Sequence, residues 1–160
     1  MLPVAVAFVV HGLLQLVSNG WRAFLQRTHI AWRTVGWYAT GALVAVVGVS
    51  AVAYVPSRAL TYLLLGLVPA LVWVPKGWLH LDAQRPAHAA VAGLVVTVVN
   101  LLAGVAGPLL DVFFVRTALV RHQVVATKAA SQVLSHAGKV VVYGQLVAAG
   151  TVPYAVVLLD

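Results

Sequence analysis

The sequence predicts an all-α integral membrane protein with about five transmembrane helices and the start of a sixth. Three observations predict it. Apolar residues make up 62% of the 160-residue chain and charged residues only 8%, against roughly 25% charged in soluble domains. Mean hydropathy is +1.00. The apolar residues also run in stretches of about 20, the length that crosses a bilayer as a helix.

Segment one runs from about Leu2 to Leu25. Segment two, Thr34 to Val55 (TVGWYATGALVAVVGVSAVAYV), carries no charge and is the clearest span. Segment three, Ala59 to Val74, is short, and Pro69 predicts a tilt or kink in it. Segment four, Ala87 to about Gly104, leads into GVAGPLLD. Segment five runs from about Leu119 to Val147, and TVPYAVVLLD begins a sixth. Trp21, Trp32, Trp37, Trp73 and Trp78 fall near segment ends, where interface aromatics sit.

Charge places the loops. Those after segments one and three hold Arg27, Arg33, Lys76 and Arg85, with Arg22 at the edge; those after two and four hold Arg58, Arg116 and Arg121. The excess assigns the first set to the cytoplasm, with the chain in the cell membrane as a multi-pass protein. The N-terminus MLPVAVAFVV has neither the basic region nor the cleavage site of a signal peptide. A helix upstream would explain its outward placement. The formal charge of +7 is scattered between apolar segments rather than gathered on a solvated face, so nucleic acid is excluded as a partner and the bilayer is expected. With no cysteine there is no disulfide, thiolate metal site or thiol nucleophile. The six histidines are dispersed without metal-ligand spacing, and no paired catalytic groups or phosphate loop are present. Neither an enzyme nor a cofactor or metal is expected.

Two stretches align at an offset of 117 residues: HGLLQLVSNGWR (His11 to Arg22) and KAASQVLSHAGK (Lys128 to Lys139). Gln15 falls on Gln132, Ser18 on Ser135, Asn19 on His136 and Arg22 on Lys139, so the matches are the polar positions of two apolar segments. Positions 128, 132, 135, 136 and 139 share one helix face, and His11, Gln15, Ser18, Asn19 and Arg22 repeat it. A charge at the helix centre costs about 2.5 kcal/mol or more in hydrocarbon, so both stripes are expected to face each other or water. Their chemistry is donor-rich. The chain has only three carboxylates, Asp82, Asp111 and Asp160, too few and too peripheral to neutralise Arg22, Lys128 and Lys139. A small anion is the natural partner. Each position also has a plainer reading. Arg22, Lys128 and Lys139 snorkel to an interface, and His11, Gln15, Ser18, Gln132 and Ser135 hold helices together. His136, deep in its segment, is the strongest functional candidate.

Gly104, Gly107 and Pro108 break the chain at membrane depth, where free backbone survives only against protein or a cavity. The alternative is a simple helix terminator before a loop. NLLAGVAGPLLDVFFVR followed by RHQVVATKAASQVLSHAGKVVVYG resembles the second-repeat signature of the TauE/SafE family of sulfite and organosulfur-anion permeases. The resemblance rests on Gly104, Gly107, Pro108, Leu109, Leu110, Phe113 and Phe114 in the turn. Ala126, Thr127, Ala129, Gln132, His136 and Lys139 carry it in the helix. It is specific over residues 100 to 144 and looser over 3 to 75.

The resemblance implies an inverted-repeat transporter of about eight spans with a Gly/Pro-broken helix, moving small sulfur oxyanions by alternating access coupled to the proton gradient. On that pattern residues 1–160 form one transmembrane domain. Residues 1–75 are the remainder of a first repeat and 87–160 part of a second, and a homo-oligomer is compatible. Substrate contacts fall on Gln15, Ser18, Asn19, Arg22, Gly104, Gly107, Pro108, Lys128, Gln132, Ser135, His136 and Lys139. Asp111, Val112 and Ala106 depart from the family pattern, which has an uncharged residue, a proline and a glycine there. An Asp111 carboxylate beside an anion path opposes the anion unless it pairs with Lys128 or Lys139 or is protonated. The rival expectations are a non-transporting fragment of such a permease, or a structural membrane protein whose stripes only join helices.

Overall fold

A computed structural model describes residues 3–52, 54–68, 70, 81–105, 107–114 and 117–150. Every regular element among them is helical: α1 (Val4–Leu25), α2 (Trp32–Val52), α3 (Arg58–Leu67), α4 (Pro86–Ala103), α5 (Gly107–Phe114) and α6 (Arg121–Ala148), with a 3-10 turn at Arg27–His29. Of the five expected spans, α1, α2 and α4 are long and apolar enough to cross a membrane. In α3 the described helix has 10 residues. At 28 residues, α6 is about 42 Å long, but Arg121, Lys128 and Lys139 lower its apolarity. The end of segment three, with Pro69, Trp73, Lys76 and Trp78, lies outside the described residues, as do Ala106, Arg116 and the sixth segment.

The outward surface is what hydrocarbon selects: Leu14, Val17, Trp21, Leu43, Val44, Val52 and Leu63 are all exposed. Such an area of exposed apolar side chains marks a membrane-contacting surface.

The helices meet through small residues and a few aromatics. A Cβ at Gly41 in α2 would fall on the carbonyl oxygen of Ala90 in α4, and one at Gly93 would fall on that of Tyr38. Backbones approach this closely only where both helices offer glycine or alanine, the packing mode of helices that hydrocarbon does not drive together. Ala42 and Ala92 are buried in one cluster with Tyr38, and Ala45 and Ala89 are buried on the same two helices.

The stripe-bearing helices α1 and α6 are antiparallel partners. Ala5 and Phe8, near the start of α1, cluster with Val142 and Tyr143, near the end of α6. Ala23, near the end of α1, clusters with Ala126 and Ala130.

The break after segment four is real. Gly104 caps α4 in the left-handed region, at φ 79°, and its N–H closes the turn onto the Asn100 carbonyl at 2.9 Å. Any other L-residue is strained in this conformation. Three residues on, α5 starts, with Pro108 at a first-turn position where its missing N–H costs nothing. The chain then runs back along α4, because the Ala83 N–H donates to the Phe113 carbonyl at 3.0 Å.

This hairpin corrects the expected sidedness. Alternating the segments across the membrane puts Arg121 opposite Arg27, Arg33 and Arg85, on the premise that segment four crosses. Instead the Ala118 N–H donates to Gln84 Oε1 at 3.2 Å, and the His122 ring lies 5.8 Å from that of His29. The Ala31 N–H donates to Thr127 Oγ1 at 2.9 Å. Arg27, Arg33, Arg85 and Arg121 therefore share one end, and the physical reason is the glycine reversal.

Candidate functional site

The two stripes meet, and they form two loci rather than one. The inner locus is centred on Lys139, which is fully buried. An ammonium has three donors, and here all three have acceptors. They are Gly104 O at 2.8 Å, His11 Nδ1 at 2.9 Å and Asn100 Oδ1 at 3.3 Å. The Gly104 carbonyl belongs to the C-terminal end of α4, where the helix dipole favours a cation. On the other side of the ring, His11 Nε2 lies 3.5 Å from Gln15 Nε2. Gln15 Oε1 in turn accepts from Asn19 Nδ2 at 2.9 Å.

His136 lies buried beside this group. Its ring is 5.7 Å from that of His11, edge to face, and its Nδ1 is 3.5 Å from the Asn100 carboxamide. One turn away, Ser135 Oγ is held by the Tyr38 hydroxyl at 2.5 Å and Thr97 Oγ1 at 2.9 Å.

The outer locus lies about 16 Å further along α6, at 1.5 Å per residue. A pocket of about 300 Å³ is lined by Arg22 of α1, by Gly107, Pro108 and Asp111 of α5, and by Val125, Lys128, Ala129 and Gln132 of α6. Gly107 and Asp111 are one turn apart on α5, as Lys128 and Gln132 are on α6, so one face of each helix meets the pocket. The Gln132 carboxamide lies against α5 at Gly107, its Nε2 3.5 Å from where a Cβ on that residue would stand. Gly107 and Pro108 put the N-terminal end of α5, with its partial positive charge, at the pocket wall.

The one ion pair between described residues is Lys128 with Asp111. The expectation that ion pairing cannot neutralise Arg22, Lys128 and Lys139 is thereby corrected for Lys128 alone. Lys128 has a carboxylate within one helix turn of the break, and Lys139 is satisfied by neutral acceptors. Of the candidate residues, His11, Gln15, Asn19, Gly104, Ser135, His136 and Lys139 belong to the inner locus or its continuation. Arg22, Gly107, Pro108, Lys128 and Gln132 line the outer pocket. Ser18 joins neither: it is exposed, in a shallow groove with Val17, Trp21 and Arg22.

Sequence reasoning missed Asn100, Thr97 and Tyr38, each of which holds a stripe residue. Their signal was the one used for the stripes: a lone polar side chain in an apolar helix needs a partner. Asn100 and Thr97 lie in AAVAGLVVTVVN without forming a stripe, so the face pattern passed over them.

The fold and its two loci define an all-helical, apolar protein with three helices fit to cross a membrane and a hairpin broken at Gly104–Gly107. No family model, curated protein or solved structure matches the chain.

Proposed function

We propose that the protein is a multi-pass permease of the bacterial plasma membrane for small oxyanions of the sulfite or organosulfonate kind. The observation that carries this reading is the outer pocket. Two cations, a carboxamide and a helix N-terminus from three separate helices, with the single carboxylate of Asp111, converge on about 300 Å³. That volume suits a small ion with a partial water shell, and the donor set suits oxygen acceptors.

The repeat supports an inverted, TauE/SafE-like architecture. The offset of 117 carries His11 onto Lys128 and Lys139 onto Arg22. His11 meets Lys139, while Lys128 and Arg22 share the pocket, so each pairing is the image of the other. A two-fold relation between antiparallel helices requires that reciprocity. In this architecture α3 and α6 count as spans beside α1 and α2, and α4 with α5 forms a hairpin that enters and leaves by the same end. The end that gathers Arg27, Arg33, Arg85 and Arg121 is cytoplasmic by the positive-inside rule. The α4–α5 break supplies the element that rocks in alternating access.

The closed inner locus favours a structural task for part of the stripe: Lys139 and His136 pin the break, while Arg22, Lys128 and Gln132 meet the anion. The test is sulfite uptake into phosphatidylcholine proteoliposomes under an imposed proton gradient. Arg22→Gln or Lys128→Gln should lower uptake about tenfold or more, from about 1.5 kcal/mol per lost charged hydrogen bond. Uptake that persists in the double variant at equal protein level refutes the assignment.

A further inference from the structure

We propose that Asp111 is a built-in competitor for the anion, a tethered carboxylate that occupies the Lys128 ammonium until an oxyanion displaces it. The inference rests on the permease reading and adds to it how the pocket is held when empty of substrate. Asp111 stands on α5, one turn beyond Gly107, and its carboxylate pairs with Lys128 across the mouth of the pocket. The Asp111 side chain is 53% exposed and that of Lys128 25%. The carboxylate is thus the more exposed partner, while the ammonium stays at the wall of the pocket with Gln132 one turn away. A pair this exposed is weak and exchangeable, which is what a displaceable latch needs. A deeply buried pair would hold the pocket shut.

The geometry also says what displacement does. The pair ties the returning half-helix α5 to α6, on the far side of the Gly104 reversal from the Lys139 anchor. An oxyanion that takes the ammonium removes the tie between the Asp111 face of α5 and α6, while Gly104 stays fixed by Lys139 and the end of α5 stays held by the Ala83–Phe113 hydrogen bond. Anion binding and the Asp111–Lys128 pair then compete for one ammonium, so each weakens the other by the same factor.

The experiment measures sulfite binding to the full chain in phosphatidylcholine nanodiscs, where no anionic headgroup competes, for the parent protein, Asp111→Asn and Asp111→Glu. Asp111→Asn removes the competing charge without changing side-chain size and should tighten sulfite binding by about fivefold, the upper range for releasing a partly exposed pair. Asp111→Glu keeps the charge and should stay within about twofold of the parent. If Asp111→Asn binds sulfite no tighter while the parent binds it, the competitor role falls and the permease reading stands. An equal gain in Asp111→Glu also overturns it, because packing rather than charge would then be responsible. If neither parent nor Asp111→Asn binds sulfite, the permease reading itself falls, and the competitor with it.

Discussion

Replacing Asn100 by leucine tests how the buried Lys139 is tolerated. The change nearly keeps the volume and removes the Oδ1 acceptor 3.3 Å from the ammonium, leaving Gly104 O and His11 Nδ1. A hydrogen bond to a charged group is worth about 1.5–3 kcal/mol. Because Lys139 is 0% exposed, no water replaces the lost partner. Asn100→Leu should therefore cost about 1.5–3 kcal/mol. Lys139→Met removes the charge itself. It strands three acceptors, Gly104 O, Asn100 Oδ1 and His11 Nδ1, at about 1 kcal/mol each, but relieves the ammonium's desolvation, which is several kcal/mol before compensation. It should cost less than Asn100→Leu. In the double variant there is no ammonium left to abandon, so the two changes should couple by about 1.5–3 kcal/mol. Reversible unfolding in mixed detergent–SDS micelles gives all three free energies. Costs that add to within about 0.5 kcal/mol, or a Lys139→Met penalty above that of Asn100→Leu, would refute the view that the polar cluster exists to hold one buried cation.

Two further changes probe the packing that positions the cluster. Gly41→Ala and Gly93→Ala each drive a methyl into a carbonyl of the facing helix, so each should cost about 3 kcal/mol or more, read as failure to accumulate or a lowered unfolding midpoint. Gly20→Ala, which meets nothing within 4 Å, should be tolerated in the same assay. Gly104→Ala combines the left-handed penalty of about 1–2 kcal/mol with a contact of 2.9 Å to the Phe8 ring. It should loosen the hairpin and raise amide exchange through α5, and unchanged exchange would contradict the reversal.

The helices were legible because hydrocarbon leaves few other patterns: α1, α2, α4 and α6 fall within a few residues of their segments. The break was legible in GVAGP, since glycine and proline report backbone conformation directly. The stripe on α6 was legible in its spacing, and it is buried or half-buried at all five positions. Its counterpart on α1 was legible only in part. His11, Gln15 and Asn19 face α6, but Ser18 and Arg22 are exposed, because periodicity fixes a face and not what packs on it. The partners could not be read at all. That Lys139 finds Asn100 and Gly104 while Lys128 finds Asp111 depends on where the α4–α5 hairpin returns. Counting segments placed Arg121 on the wrong side for the same reason: a hairpin and a crossing have similar apolar composition.

The break also assigns opposite signs to its two sides. A continuous helix through residues 86 to 114 would satisfy its own backbone and present no charge at mid-depth. Cut at Gly104, it exposes carbonyls at the end of α4 and N–H groups at the start of α5. Lys139 takes the negative end through Gly104 O, so that cation is consumed by the fold. The positive end is left facing Arg22 and Lys128, where like charges accumulate and Asp111 neutralises only one of them. Reversing the chain direction of the hairpin would exchange these signs and put the spare positive charge against Lys139 instead. The vacant electrostatic demand therefore lies at the outer pocket. It calls for an anion, which is why Arg22 and Lys128, rather than the more deeply buried Lys139 and His136, carry the proposed substrate contacts.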